Sequence, residues 1–246
     1  RPASVAEAVE LLRSHGGRAK IHAGGTDLMP NMKLAQTDAD LVVSLGGIPG
    51  LESVEEEDGV LSIGARIRIS DLAAHPVVRE KLPVLAQAAG RIASPQIRNQ
   101  GTLGGNICLD TRCRFINQSE LFRQALGGCL KSHGAECHVV PGGTKCVAAL
   151  SADTVPGLVA MDAEVEIIGP AGERQLPLAE LYGTDGTAHL LLAKDEVITK
   201  VRVPVPGPQT RLAYRKWAVR NSIDFPLVSV AVRLDVADDG TLAGGK

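Results

Sequence analysis

The sequence predicts an α+β fold of two small subdomains, followed by the truncated start of a C-terminal α/β domain. Short helices and strands alternate through the first 46 residues, which is typical of a compact α/β unit. The pattern changes from Gly59 onward, and two long strands follow a proline-rich segment at residues 204–208. We therefore expect three segments, 1–46, 47–205 and 206–246.

The first segment is expected to begin with a helix that Ser4 and Glu7 cap reciprocally. Val5, Ala8 and Leu12 mark one face of this helix, and Gly16 follows its end. The next elements are expected in the order strand 19–23, helix 28–34 and strand 40–44. The side chain of Asp27 is expected to cap the second helix.

In the second segment, strand 60–64 is expected to precede helices 69–74 and 83–92, and strands 163–168 and 196–203 come later. In the third segment, strands are expected at 211–219 and 227–236. Val228 and Val230 begin an alternation with small and polar residues, which predicts a strand whose valine face is buried. A hairpin turn is expected at residues 238–240, with its returning strand lying beyond the end of the sequence.

Composition excludes several classes of protein. A formal charge of −2 gives no electrostatic reason to expect binding to nucleic acid or to an anionic membrane. An aromatic content of 2% predicts an aliphatic core. No run of residues is long and apolar enough for a membrane span, and no signal peptide opens the chain, so a cytoplasmic location is expected. Because the sequence starts at Arg1 and stops just after a turn, we expect a fragment of a longer polypeptide.

Two glycine-rich loops are the first candidates for a binding site. Residues 21–28 (Ile-His-Ala-Gly-Gly-Thr-Asp-Leu) join a predicted strand to a helix, so their backbone N–H groups could approach a phosphate. Residues 101–106 (Gly-Thr-Leu-Gly-Gly-Asn) offer a second nest of this kind. Neither loop matches the Rossmann or P-loop spacing, and either alone is a weak signal. Together they suggest a dinucleotide held between two subdomains.

As a pair, these loops resemble the FAD-binding domain of p-cresol methylhydroxylase type, which is shared by the flavin subunits of the xanthine oxidase family. Residues 151–156 (Ser-Ala-Asp-Thr-Val-Pro) resemble a further motif of that family, whose aspartate contacts the flavin. The resemblance spans nearly the whole chain and assigns no catalytic residue. It implies FAD contacts from Ile21, His22, Ala23, Gly24, Gly25, Thr26, Asp27, Leu28, Ile92, Thr102, Gly104, Gly105, Asn106, Asp153, Ile198 and Lys216.

All five cysteines lie between residues 108 and 146, which indicates that they are present for bonding and not for packing. An odd number without a secretion signal argues against disulfides. Zinc and an iron–sulfur cluster both stay open on the residues alone, because His133 and His138 lie in the same stretch. Zinc sites normally contain a pair of cysteines two to four residues apart, and the closest pair here is Cys108 and Cys113.

The cysteines lie in a segment, residues 107–150, that separates the second glycine loop from the Asp153 motif. In most members of the family only a few residues stand at this point. The longer segment resembles the flavin subunits of the 4-hydroxybenzoyl-CoA reductase branch, which carry an extra [4Fe–4S] cluster here. That resemblance implies four ligands, Cys113, Cys129, Cys137 and Cys146, at spacings of 16, 8 and 9 positions. Cys108 is then expected to be a small buried residue beside the flavin loop.

The resemblance also implies partners. A molybdopterin subunit would hold the substrate, a small subunit would hold two [2Fe–2S] clusters, and a ferredoxin would donate electrons through the [4Fe–4S] cluster and FAD. The complex would serve aromatic degradation by converting 4-hydroxybenzoyl-CoA to benzoyl-CoA. One alternative is the flavin subunit of another hydroxylase of the xanthine oxidase family. An alternative of another class is a zinc-stabilised nucleotide-binding module without redox activity.

Overall fold

The structure, a computed structural model, describes residues 1–246 and begins with a small α/β unit. Its elements are α1 (Val5–Ser14), β1 (Ala19–His22), α2 (Leu28–Lys33) and β2 (Leu41–Ser44). The two strands run parallel, with Ala19 opposite Leu41, and pack with α1 around Leu12 and Val43. Ser4 Oγ accepts from the N–H of Glu7 at 3.2 Å, so the predicted N-cap of α1 is confirmed.

The largest unit is built on a five-stranded antiparallel sheet in the order β3-β4-β7-β5-β6. Its strands are β3 (Val54–Glu57), β4 (Val60–Gly64), β5 (Glu164–Gly169), β6 (Gly172–Pro177) and β7 (Val197–Pro204). Leu61, Ile63 and Val201 belong to its buried core, which holds no Phe, Tyr or Trp, as the composition predicts. No helix in the chain has the length and apolar character that crossing a membrane requires.

Seven helices lie between β4 and β5 in the chain, and most of them are shorter than two turns. They are α3 (Ile69–Ala74), α4 (Pro76–Lys81), α5 (Pro83–Gly90), α6 (Pro95–Arg98), α7 (Leu103–Ile107), α8 (Glu120–Ala125) and α9 (Thr154–Ala160), with 3₁₀ turns at Leu45–Gly47 and Leu178–Leu181. Between α7 and α9 the chain leaves the core as the cysteine insert, residues 108–150. Arg112 and Ala149 close its base by exchanging two backbone hydrogen bonds of 3.0 and 2.9 Å.

The remaining strands form a three-stranded antiparallel sheet in the order β10-β9-β8. They are β8 (Thr210–Trp217), β9 (Val228–Val236) and β10 (Leu242–Gly245). The prediction that the returning strand of the last hairpin lies outside the sequence was wrong, because β10 pairs with β9. Its residues, Leu-Ala-Gly-Gly, contain none of the β-branched side chains by which strands are recognised in a sequence.

The exposed face of β9 is the one that the alternation assigned to the core, so that prediction was wrong. Val228 is 53% exposed and Val230 is 50% exposed. The opposite face is partly buried, and Ala231 packs there against Val84 and Tyr214. A period of two establishes that a strand has two distinct faces, but only the neighbouring elements decide which face is covered.

Candidate cofactor-binding site

A cleft of about 730 Å³ opens between the first α/β unit and the five-stranded sheet. This volume lies within the range of about 300–1,000 Å³ found for ligand sites. Two of the predicted flavin contacts, His22 and Lys216, lie outside its wall. The others line it: Ile21, Ala23, Gly24, Gly25, Thr26, Asp27, Leu28, Ile92, Thr102, Gly104, Gly105, Asn106, Asp153 and Ile198.

The first glycine loop connects β1 to α2 along one wall of the cleft. Gly25 has a φ of +72°, a backbone conformation that glycine adopts without steric cost. The N–H groups of residues 24–27 donate no hydrogen bond within the chain. Free N–H groups facing a cleft can bind the oxygens of a phosphate, so this loop has the features expected of a pyrophosphate cradle.

The two glycine loops touch backbone to backbone at Gly24. A Cβ atom added there would lie 2.1 Å from the carbonyl oxygen of Gln100 and 2.9 Å from the Cα of Gly101. Real Cβ atoms essentially never come so close to other atoms. Glycine at position 24 therefore sets the distance between the two loops, and with it the width of the cleft at this point.

The second loop differs from the expected nest, because its glycine N–H groups are already used. The N–H of Gly104 donates to Ala65 O at 2.7 Å, and that of Gly105 donates to Thr102 Oγ1 at 3.2 Å. A Cβ at Gly104 would lie 3.0 Å from the Cβ of Ala65. These glycines therefore serve close packing of the loop on the sheet, and in this loop only Thr102, which also lines the cleft, has an N–H group that donates no hydrogen bond within the chain.

Asn106 joins the second loop to α9, which carries the Asp153 motif. Its Oδ1 accepts from Thr154 Oγ1 at 2.6 Å and from the N–H of Thr154 at 3.3 Å. Thr154 is completely buried, so its hydroxyl has no water to replace a lost partner. The position of Asp153 in the cleft wall depends on this contact.

Replacing Asn106 with alanine is expected to lower the free energy of unfolding by about 1–3 kcal/mol, because a buried hydroxyl loses its partner. Chemical denaturation checks this value. The matched control is Asn99→Ala, since the side chain of Asn99 is exposed and makes no hydrogen bond. Equal stability of the two variants would show that the Asn106 contact does not hold the loop to α9.

Asp27 does not cap α2, contrary to prediction, because other partners take its carboxylate. Its Oδ1 accepts from the Arg112 guanidinium at 2.8 Å, and its Oδ2 accepts from Asn31 Nδ2 at 2.9 Å. Arg112 belongs to the cysteine insert, so the first glycine loop is joined to the insert through a charged contact.

Asp153, which also lines the cleft, forms a buried network with two residues of β8. Lys216 Nζ lies 2.8 Å from Asp153 Oδ2, and Tyr214 donates its hydroxyl proton to Oδ1 at 3.0 Å. Lys216 also donates to the carbonyls of Arg91 and Asp224. Burial raises the pKa of Asp153 above its usual value, and the hydrogen bonds from Lys216 and Tyr214 oppose that rise. Lys216 therefore acts on the cleft through Asp153, and Tyr214 is a site residue that the sequence did not reveal.

The four cysteines implied as ligands, Cys113, Cys129, Cys137 and Cys146, all line a second, small cavity inside the insert. Phe115, Leu130 and Val139 are among the apolar residues around it. Cys108 lies apart, in the wall of the larger cleft, where burial raises the pKa of its thiol to about 12. All five cysteines are free thiols.

Polar groups are directed at three of these sulfur atoms. Cys113 Sγ accepts from the N–H of Ile116 at 3.4 Å, and Cys129 Sγ accepts from Ser132 Oγ at 3.5 Å. The N–H of Val140 donates to Cys137 Sγ, which lowers the pKa of that thiol. Burial has the opposite effect on Cys146, whose pKa is raised.

Lys131 and Gly186 lie beside the cysteine cavity, and Gly186 was not singled out in the sequence. Lys131 lines the cavity and donates to Asp110 Oδ1 at 2.7 Å and to Gly186 O at 2.8 Å. A Cβ at Gly186 would lie 2.9 Å from Cys146 Sγ, so any larger residue would press on that thiol. Gly186 is remote in sequence from the insert, and only the fold brings the two together.

The insert matches a four-iron cluster in the number and kind of its donors, because four thiolates are the usual ligand set. The cavity between the four thiols is smaller than such a cluster requires. No group of three or more His, Cys, Asp or Glu side chains is placed to hold a metal ion, and the cavity volume is about 10 Å³. This is roughly the space for one water molecule, so a cluster would require the four thiols to move apart.

Comparison with known proteins agrees with this geometry. Residues 1–206 match the family described as the FAD binding domain in molybdopterin dehydrogenase. The chain is 38% identical over 237 residues to the aldehyde oxidoreductase FAD-binding subunit PaoB of Escherichia coli K12, covering 92% of this chain and 74% of that protein. It is 35% identical over 231 residues to the carbon monoxide dehydrogenase medium chain of Hydrogenophaga pseudoflava, covering 94% of this chain and 66% of that protein.

Solved structures show the same fold. A carbon monoxide dehydrogenase from Hydrogenophaga pseudoflava, lacking the Mo-pyranopterin moiety of its cofactor, superposes with a TM-score of 0.77 at 31% identity, covering 99% of this chain and 70% of that chain. The protein therefore belongs to the family of FAD-binding domains found in molybdopterin dehydrogenases. Its fold is the mixed α/β FAD-binding fold of the medium chains in that family.

Proposed function

We propose that this chain is the electron-transferring flavin subunit of a molybdenum-containing oxidoreductase. The observation that carries the proposal is the first glycine loop, whose residues 24–27 line the cleft and donate no backbone hydrogen bond within the chain. Their N–H groups would bind the pyrophosphate of FAD, and Asp153 in the cleft wall would lie at the flavin. When bound, FAD supplies the ability to accept and pass on electrons.

The substrate is proposed to react on a different subunit. The residues of the cleft include no nucleophile paired with a base, so this chain would position and tune a cofactor. Two relatives are named as medium subunits, the carbon monoxide dehydrogenase medium chain and the nicotine 6-hydroxylase medium subunit of Paenarthrobacter nicotinovorans. By analogy with them, the partners would be a molybdopterin subunit and a [2Fe–2S] subunit, forming a heterotrimer.

The cysteine insert is proposed to hold a [4Fe–4S] cluster on Cys113, Cys129, Cys137 and Cys146. Support comes from the position of all four residues around one cavity and from the donors directed at three of their sulfur atoms. Lys131 adds a positive charge that would offset the negative charge of a cluster. Electrons from a ferredoxin would then pass through this cluster and FAD toward the [2Fe–2S] clusters and molybdenum.

The complex is proposed to be a 4-hydroxybenzoyl-CoA reductase, which removes the phenolic hydroxyl group of its substrate. The position of the insert and the spacing of its four cysteines support this choice. A second candidate is an oxidative enzyme of the same family, and it is favoured by the 38% identity to an aldehyde oxidoreductase subunit. The assembled complex distinguishes them: reduced ferredoxin and 4-hydroxybenzoyl-CoA should give benzoyl-CoA. Oxidation of an aldehyde, with no benzoyl-CoA formed, would support the second candidate.

Replacing Cys129 with serine is expected to remove about four iron atoms per chain while FAD stays bound, because a cluster of this kind needs all four thiolates. Iron and flavin analysis of the purified complex measures both. The matched control is Cys108→Ser, which removes a thiol outside the cysteine cavity and should leave the iron in place. Unchanged iron in the Cys129 variant, or zinc in place of iron in the wild type, would contradict the assignment.

A further inference from the structure

The first glycine loop carries a negative charge at the place where an anion is proposed to bind. Asp27 lines the cleft, and its N–H group is one of those that donate no hydrogen bond within the chain. A carboxylate beside a pyrophosphate repels it, because charges of equal sign interact strongly where water is partly excluded. The loop therefore suits an anion only if the carboxylate of Asp27 is neutralised.

Arg112, in the cysteine insert, provides the neutralising charge. Its guanidinium donates to Asp27 Oδ1 at 2.8 Å, while Oδ2 accepts from Asn31 Nδ2 at 2.9 Å. The N–H of Asp110 also donates to Oδ2, at 3.5 Å, so Arg112 is the only charged donor of the three. A second guanidinium nitrogen donates to Gln36 Oε1 at 2.9 Å, which fixes the orientation of the group. The side chain of Arg112 is 13% exposed and lies outside the cleft wall, so it acts on a ligand through Asp27.

A second arginine fastens the insert to the end of α2, the helix that follows the loop. Arg123 is only 3% exposed, and its guanidinium donates to the carbonyls of Leu34 and Ala35 at 2.9 and 3.2 Å. No cysteine takes part in these contacts. The pairing of Arg112 with Asp27 is therefore complete whatever the cysteines bind.

The same arrangement recurs around the cleft. Five carboxylates line it, and four of them form an ion pair with a basic residue that lies outside the wall. The N–O distances are 2.7–2.8 Å, and the pairs are Asp27 with Arg112, Asp110 with Lys131, Asp153 with Lys216 and Glu196 with Arg174. These pairs remove most of the repulsion that an anionic ligand would otherwise meet. Two of the four basic residues, Arg112 and Lys131, belong to the insert.

We propose that Arg112 is a positioning residue for FAD: by neutralising Asp27, it allows the N–H groups of the first glycine loop to bind the pyrophosphate. This inference rests on the proposed function, in which that loop holds the pyrophosphate of FAD. The insert then serves the flavin site through its own side chains, independently of its cysteine cavity.

The first test is the FAD dissociation constant of the purified complex, measured by equilibrium dialysis after the flavin has been removed. R112Q leaves the carboxylate of Asp27 without a cation and is expected to raise this constant about tenfold to a hundredfold. R114Q makes the same substitution at an exposed arginine two positions away and should leave the constant unchanged. Equal FAD binding by R112Q and R114Q, with both variants folded by circular dichroism, would overturn the proposal.

The second test separates the charge of Arg112 from a purely structural role. In the double variant D27N/R112Q no carboxylate is left to neutralise, so the FAD dissociation constant should return to within about threefold of the wild-type value. R112K keeps the cation without the forked donor and should raise the constant no more than about threefold. A double variant or an R112K that binds FAD as weakly as R112Q would show that charge is not the cause, and would overturn the proposal.

R112K and the double variant keep the test decisive if R112Q does not fold. Both should then fold and bind FAD within about threefold of the wild type, and a tenfold loss in either would contradict the proposal. A wild-type complex that binds no FAD would refute the proposed function itself. Normal FAD binding by the wild type and by R112Q would refute only the role of Arg112.

Discussion

Replacing Gly24 with alanine is expected to cause the largest loss of FAD binding of any single methyl group added to this chain. The new Cβ would lie 2.1 Å from Gln100 O, and the obstructing atom belongs to the backbone, so no side chain can rotate away. The two glycine loops would have to separate, at a cost of about 1–3 kcal/mol or more. Since 1.4 kcal/mol corresponds to a factor of ten, the FAD dissociation constant should rise about tenfold to a hundredfold.

Equilibrium dialysis measures the FAD dissociation constant of the Gly24→Ala variant, and thermal unfolding measures its loss of stability. Gly90→Ala is the matched control, because a Cβ at Gly90 meets no other atom within 4 Å and the residue ends α5. That variant should bind FAD normally and be slightly more stable, since alanine restricts the unfolded chain. If Gly24→Ala binds FAD as the control does, the two loops are not held at a fixed distance.

The second large effect is expected from Lys216→Met. The side chains of Lys216 and Asp153 are each only 4% exposed, so the variant leaves a buried carboxylate without its cationic partner. Breaking such a pair costs about 3–5 kcal/mol, even where the intact pair adds little net stability. The raised pKa of Asp153 has the same origin, since burial already penalises the charged carboxylate while Lys216 is present.

Denaturant unfolding monitored by circular dichroism gives the free energy for this variant. Lys33→Met provides the control, because Lys33 is an exposed lysine of α2 that forms no ion pair. The control should change the free energy of unfolding by less than about 1 kcal/mol. Similar free energies of unfolding for the two variants would show that the Asp153 network contributes little to folding. In that case the Lys216→Met variant should also retain FAD.

The parts of the site that sequence could predict are those set by local chemistry. Gly24 and Gly25 stand between a strand and a helix, and their neighbours create a recognisable loop whatever the rest of the chain does. The five cysteines could likewise be grouped by their position in one segment, and the family resemblance selected the four that line the second cavity. Neighbouring residues determine both of these features, so the sequence alone is sufficient to predict them.

The parts that sequence could not predict depend on contacts between distant residues. Asp27 was expected to cap a helix, as aspartate often does, but Arg112, 85 positions away, takes its carboxylate instead. Tyr214 gives no local sign that it donates to Asp153. Gly186 was not recognised for the same reason, because only the folded chain brings it against Cys146.

The alternation along β8 gives the protein an internal reporter. Lys216 points inward to Asp153, so the next residue, Trp217, points outward and is 67% exposed on the face shared with the exposed valines of β9. Trp217 is the single tryptophan of the chain. Its emission wavelength responds to the polarity around the indole ring, so a shift to shorter wavelength would report when another surface covers this sheet. The fluorescence of Trp217 requires no added label, so this measurement does not alter the flavin cleft.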